Sequence, residues 1–192
     1  MKRLLALAIV LAAACSPAIS ANETAQPDIS QVQADWTDPS GRFSLSYTAR
    51  GWQRIEPMRH ADDVFEIAGP NDRPGRIYMC SLLAPERGGL LHGSQAQINA
   101  DMRRRTVADD VPPQWSSTPD FQFAHATVDG VAVIDMSLSR NSTYQRWRTF
   151  RLPGSLGSTQ HQLTCGATLP VSDAERADLE AIITSLHFTP ER

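Results

Sequence analysis

Lysine is nearly absent from this 192-residue sequence, in which Lys2 is the single example. Three kinds of site depend on a lysine ammonium: the phosphate-binding P-loop, the Schiff-base lysine and the Ser–Lys dyad. Lys2 falls within a predicted secretion signal, so the mature protein is expected to contain no lysine. The sequence therefore excludes these three site types from the mature domain.

The sequence also lacks an apolar run long enough to cross a membrane near its start. A transmembrane helix needs roughly 20 apolar residues, whereas the apolar part of a signal peptide needs only about 7 to 15. Residues 4–14 form such a short run, preceded by Lys2 and Arg3 and ending in small residues. Residues 1–14 are therefore predicted to be a signal peptide that directs export to the periplasm.

Two cleavage sites are compatible with this signal. The sequence LAAAC, which ends at Cys15, resembles a bacterial lipobox, which would place a lipid on the Cys15 thiol. Ser16 then resembles the pattern sorted to the outer membrane. The alternative is an ordinary signal cleaved near Ala18 to Ala21, which would release the protein into the periplasm. We expect a lipoprotein attached to the outer membrane through Cys15.

Charge and length limit the function further. Removal of Lys2 and Arg3 with the signal peptide leaves 16 of the 18 basic residues, compared with 21 acidic residues. This acidic balance disfavours a nucleic-acid partner, which usually requires a strong basic excess. The remaining chain is long enough for one domain. Residues 15–35 are polar and poor in large apolar side chains, which predicts a flexible tether, and residues 36–192 are predicted to form a single globular domain.

Apolar periodicity and turn residues predict the secondary structure of this domain. Asp129-Gly130 between two alternating apolar runs is a strong hairpin signal. Ser94 with Gln97, and Ser172 with Glu175, have the capping-box spacing that begins a helix. The predicted elements are strands at 43–47, 64–68, 76–83, on both sides of the Asp129-Gly130 turn, at 144–152 and at 161–169, with helices at 94–107 and from 172 onward to Leu186. This order predicts an α+β fold, with a central antiparallel sheet of about six or more strands flanked by helices.

Three segments resemble the PsbP-like and DcrB-like envelope proteins: GRFSLSYTARGWQRI near the start, the Gly-Pro-Asn-Asp hairpin, and the closing LEAIITSLHF. The resemblance extends from Phe43 to Phe188. It implies a central antiparallel sheet in an α/β/α sandwich, and it carries over no catalytic residue. Members of this group mostly act as binding or assembly factors, so the resemblance implies a non-enzymatic role.

Cys80 and Cys165 are the two cysteines left in the folded domain. Each lies in a predicted strand, and the periplasm is an oxidising compartment, so we expect a disulfide between them. The alternative is a pair of buried free thiols that act as small apolar side chains.

No motif predicts a metal, cofactor or catalytic site. The histidines have no metal-binding spacing, and His60 with Asp62 and Asp63 is interpreted as a solvated loop. His125 shares strand parity with two phenylalanines and is expected to face the core or its margin. The sequence contains no Gly-x-Ser-x-Gly nucleophile turn. The histidines are His60, His92, His125, His161 and His187.

One strand combines arginines with large aromatic side chains. Tyr144, Arg146, Trp147 and Arg148 form a mixture that interfaces favour, and they are the predicted contact residues for a partner. The alternative is an outer strand face on which the arginines extend toward solvent.

Two classes of function follow from these observations. The first is a lipid-anchored, non-enzymatic envelope factor that binds another envelope protein, a peptide or a lipid. The second is a small periplasmic hydrolase whose site is assembled from distant residues, with His125 or His161 beside a serine and a carboxylate. A structural domain without a ligand is a third interpretation.

Overall fold

A computed structural model describes residues 33–48, 51–56, 63–70, 75–84, 88–89, 93–154 and 157–189. The predicted signal peptide, Cys15 and residues 15–32 of the predicted tether lie outside these ranges. So do His60, Asp62 and His92.

The described chain alternates groups of strands with helices. Its elements are β1 Gln33–Thr37, β2 Phe43–Thr48, β3 Gln53–Arg54, β4 Asp63–Ala68, β5 Tyr78–Leu83, β6 Gly88–Gly89, α1 Gln95–Met102, α2 Val107–Asp110, α3 Pro113–Ser116, β7 Gln122–Val128, β8 Val131–Arg140, β9 Thr143–Gly154, β10 Gly157–Thr168, α4 Asp173–Thr184 and β11 Leu186–Phe188. The large sheet has the order β3-β4-β5-β10-β9-β8-β7, with β6 also paired to β10, and β1-β2-β11 form a small sheet. Every strand pair is antiparallel. The predicted α+β fold class is confirmed.

Several element boundaries differ from the sequence prediction; β5, for example, begins at Tyr78 and not at residue 76, and β10 begins at Gly157 and not at His161. Strand β1 begins at Gln33, inside the predicted tether, because its backbone pairs with β2 from Gln33 opposite Thr48 onward. The first helix ends at Met102 rather than continuing to residue 107, because Thr106 begins a separate helix through its own capping box with Asp109. Leu186 lies in β11 and not in α4.

One face of the large sheet packs against the small sheet and α4. The alternating apolar residues of β2 supply much of this core, since Phe43, Leu45 and Tyr47 are all buried. Leu179 and Ile183 on α4 are fully buried in the same cluster. Removing these side chains from water provides the driving force that holds the two layers together.

The opposite face of the sheet packs against α1, α2 and α3. Ile98 and Met102 of α1 contact the alternate residues of β8, and Trp147 of β9 joins the same cluster. The Asp129-Gly130 turn lies between β7 and β8 with φ values of 46° and 84°, the left-handed pair that a two-residue hairpin requires. None of the described helices is long and apolar enough to span a bilayer.

Cys80 of β5 and Cys165 of β10 are joined by a disulfide, with S–S 2.06 Å and Cα atoms 4.0 Å apart. The two residues stand directly opposite each other in the β5–β10 register. The expected pairing is therefore present, and it links the first half of the sheet covalently to the second.

Breaking this disulfide is expected to lower the free energy of unfolding by about 4 kcal/mol, because the crosslink closes a loop that spans 85 positions and restricts the unfolded chain. Urea unfolding of the mature protein with and without reductant measures the loss. The double variant Cys80→Ala/Cys165→Ala serves as the control, since reductant should not change it. Equal unfolding energies for oxidised and reduced wild type would contradict the prediction.

Candidate functional site

Arg148 is buried in the core rather than exposed for a partner. Only 5% of the residue is accessible, and its guanidinium donates to both carboxylate oxygens of Asp135 at 2.7 and 2.9 Å. A third bond reaches the carbonyl oxygen of Ile183 on α4 at 3.0 Å. This bidentate pair joins β8, β9 and α4 beneath the helix, so it has a structural role.

The other three predicted contact residues are also occupied within the fold. Arg146 donates to the carboxylate of Glu180 on α4 at 2.7 and 3.0 Å. Tyr144 has the guanidinium of Arg176 over its ring at 4.2 Å. Trp147, on the opposite face of β9, is 4% exposed. Trp147 and Arg148 are thus buried, whereas Tyr144 and Arg146 are half-buried. A role of these four residues in binding a partner stays a prediction.

Removing Asp135 is expected to destabilise the fold strongly, because the Arg148 charge would remain buried without its partner. Asp135→Ala should cost about 3 to 5 kcal/mol of unfolding free energy, measured by urea titration. Glu56→Ala is the matched control, since the Arg54–Glu56 pair is exposed, with side chains 42% and 68% accessible, and should cost less than about 1 kcal/mol. Similar losses of unfolding free energy in the two variants would show that the buried pair contributes no more to stability than the exposed pair.

His161 is buried among aromatic rings. It is 3% exposed, stacks on Phe150 with ring centroids 5.0 Å apart, and meets the edge of Phe43 at 5.2 Å. Within the described chain neither ring nitrogen has a hydrogen-bond partner. Burial lowers the pKa of His161 to about 4, and the nearby Arg42 charge acts in the same direction. The imidazole is therefore neutral at physiological pH and packs as an aromatic side chain.

The remaining described histidines do not form a nucleophile–base–acid set either. His125 is exposed on the edge strand β7 and touches Phe123, which packs against the second core, so it lies at the margin of that core and not inside it. His187 lies 3.2 Å from the Asp129 carboxylate, and 64% of its side chain is accessible. Among the described residues no histidine is hydrogen-bonded to a serine or cysteine, and no group of His, Cys, Asp and Glu could hold a metal ion.

The low pKa of His161 predicts a loss of stability in acid. Between about pH 6.5 and pH 4 the unfolded chain binds a proton at this residue that the folded chain does not, so stability falls as pH falls. The contribution lost is about 3 kcal/mol over that range. The variant His161→Phe should lack this part of the pH dependence of the free energy of unfolding. Urea unfolding of the variant and of wild type at several pH values measures it. The control His125→Phe should keep it, and identical slopes for all three proteins would contradict the assignment.

A cleft opens where α2 and α3 end above β9 and β10. It has a volume of about 220 Å³. We call it the Gln–Trp cleft. Its lining residues are Asp110, Trp115, Met136, Gln145, Trp147, Thr149, Gln160, Gln162 and Thr164. The sheet register forms its floor, because Gln162 stands opposite Thr149, and Thr164 opposite Trp147.

The polar groups of the cleft are oriented by their neighbours. Arg151 donates to Gln160 Oε1 at 3.2 and 3.0 Å, and since arginine can only donate, the Gln160 amide NH₂ remains available. Gln162 donates to Thr164 Oγ1 at 3.0 Å, which leaves its own carbonyl oxygen available as an acceptor. The cleft thus presents donors and acceptors side by side.

A buried polar atom of the cleft lining has no hydrogen-bond partner within the described residues. It is the indole Nε1 of Trp115. A buried N–H without a partner is costly, so it marks a position where water or a ligand binds. Thr149 and Gln145 add two further polar side chains to the row along the floor of the cleft.

The walls of the cleft are aromatic and carry no net charge. Trp115 and Trp147 meet edge to face with centroids 6.2 Å apart. The single acidic residue in the lining, Asp110, accepts hydrogen bonds from Arg105, one of them at 2.9 Å and the other shorter. Its charge is therefore neutralised within the protein.

Sequence reasoning missed this cleft. The alternation in HQLTC places His161, Leu163 and Cys165 toward one core, which leaves Gln162 and Thr164 on the other face. That polar row was visible in the sequence. Its position beside Trp147 and under α3 depends on strand order, which the sequence does not reveal.

A second cavity of about 250 Å³ lies at one end of the sheet, near Arg42, Asp129 and Phe188. Its walls are mostly apolar. Arg42 donates to the carbonyl oxygen of Pro153 at 2.6 Å and to Ser40 at 2.8 Å, so its guanidinium is already engaged within the fold.

Comparison with known proteins does not assign this chain to a family. No family model matches the chain, and no curated protein matches it. A solved structure, that of LpqN, described as involved in cell envelope biogenesis of Mycobacterium tuberculosis, aligns with 84% of this chain and 87% of its own at 16% identity and a TM-score of 0.47. A likeness this weak carries no argument about function. The PsbP-like resemblance stays a prediction.

Proposed function

We propose that this protein is an exported envelope factor that binds a ligand without converting it, and that the Gln–Trp cleft is its binding site. One observation carries the proposal. The cleft combines aromatic walls with a row of polar side chains, its lining includes the buried and unpartnered indole N–H of Trp115, and no described histidine lines it. Binding sites are typically concave and carry a few converging polar groups that fix the orientation of the ligand.

The disulfide supports an extracytoplasmic location, because such bonds persist in oxidising compartments and are rare in the cytosol. Attachment of the chain to the outer membrane through a lipid on Cys15 is part of the proposal. A tether of about 20 residues would then give the domain a reach of roughly 25 Å from the membrane. At that distance the cleft can meet ligands of the envelope without being fixed against the bilayer.

The proposal predicts that an envelope ligand is recovered through the cleft. The mature protein would be incubated with a detergent-solubilised envelope fraction, reisolated, and its bound molecules identified by mass spectrometry. Gln160→Leu/Gln162→Leu should lose the ligand, because apolar side chains cannot replace the hydrogen bonds. Gln53→Leu is the matched control, since Gln53 is an exposed glutamine on the edge strand β3, and it should retain the ligand.

Equal recovery by all three proteins would reject the cleft as the binding site. The hydrolase alternative is tested in the same samples. If the wild type releases products from the envelope fraction over many turnovers, and a His125→Ala or His161→Ala variant does not, the protein is an enzyme and the binding proposal fails.

A further inference from the structure

We propose that the ligand of the Gln–Trp cleft is a neutral carbohydrate, bound through one sugar ring. This inference rests on the proposed function and specifies its ligand. It follows from the hydrogen-bonding character, the charge and the shape of the cleft.

The hydrogen-bonding groups of the cleft match hydroxyl groups. A ligand hydroxyl both donates and accepts, so its best partners are groups that offer both roles side by side. The Gln160 amide donates, the Gln162 carbonyl oxygen accepts, and the Thr149 hydroxyl does either. An anionic ligand would call for donors alone, and a cationic ligand for acceptors alone. The alternation of roles therefore points to several hydroxyls on one molecule.

Charge excludes the ionic alternatives. Asp110 is the one charged residue of the lining, and its carboxylate is held by two hydrogen bonds from Arg105. The neighbouring Arg151 donates to Gln160 and lies 3.7 Å from the Asp101 carboxylate, so a phosphate or carboxylate entering the cleft would meet no unpaired cation. Desolvating such a charge without an opposite charge costs several kcal/mol. A neutral ligand avoids this cost.

Shape and apolar surface point to a ring. The side chains of Trp115, Trp147 and Met136 form an apolar wall beside the polar floor. A sugar ring has the corresponding two sides, since its hydroxyls project around the edge while its C–H groups form apolar faces. The volume of about 220 Å³ corresponds to roughly seven water molecules, which suits one sugar unit better than a drug-sized ligand of about 300 to 1,000 Å³.

The test is a calorimetric titration of the mature protein with D-glucose, D-galactose and N-acetyl-D-glucosamine, with D-glucuronate as the charged analogue. Saturable binding of at least one neutral sugar is expected, with a Kd no weaker than about 10 mM. Glucuronate should bind at least about tenfold more weakly than glucose if glucose binds. Movement of the Trp115 indole N–H signal in the NMR spectrum would locate the sugar in the cleft.

Variants test the assignment of the contacts. Gln160→Leu and Thr149→Val should each weaken sugar binding about tenfold, whereas Gln53→Leu should change it by less than about twofold. Melting temperatures of all variants are measured, so that a loss of binding is not confused with unfolding. If Thr149→Val is unstable, Gln160→Leu alone decides the point, because Gln160 is half-buried at the rim of the sheet.

Three results would overturn the inference: no saturable binding of any neutral sugar, binding that the cleft variants leave unchanged, or stronger binding of glucuronate than of glucose. Its failure can be told apart from failure of the proposed function. If no sugar binds and the cleft variants still lose their envelope ligand, the cleft is the binding site for another class of molecule. If no sugar binds and the envelope ligand is also insensitive to the variants, both proposals fail.

Discussion

Strand β10 connects the two halves of this fold. Along one edge it pairs with β5, and along the other it pairs with β9 over its whole length, from Gly157 opposite Gly154 to Thr168 opposite Thr143. Within the described sheet, the hairpin strands of the first half reach those of the second half only through β10. The Cys80–Cys165 bond lies at this junction. Both cores, and the cleft above β9 and β10, therefore depend on the pairing of this one strand with its two neighbours.

Local signals in the sequence predicted local structure well. Ser94 and Ser172 do begin helices through capping boxes with Gln97 and Glu175, because a cap is decided by residues within one turn. The Asp129-Gly130 hairpin is equally local, since the turn needs only two residues with positive φ. These elements, together with their order along the chain, were enough to give the α+β class.

The sequence did not predict which strands lie next to each other in the sheet. The mixture of arginines and aromatic side chains on β9 predicts an interface only if that strand is exposed on one face. In the structure β9 lies between β8 and β10, with α4 on one side and α3 on the other. The carboxylate that binds Arg148 belongs to Asp135 of β8, 13 positions earlier. No local sequence pattern predicts that pairing. An arginine–aromatic pattern is therefore informative about binding only once the position of its strand in the sheet is known.

The same sheet register determines what the cleft can bind. Side chains alternate along a strand, so a slip of one residue in the pairing of β10 would exchange its two faces. Gln160, Gln162 and Thr164 would then enter the aromatic core, and His161 and Leu163 would line the cleft. The disulfide opposes such a slip, because Cys165 can bond only while it stands opposite Cys80. The bond between β5 and β10 thus does more than stabilise the domain, since it holds the polar face of β10 toward the cleft and the aromatic face toward Phe43 and Phe150.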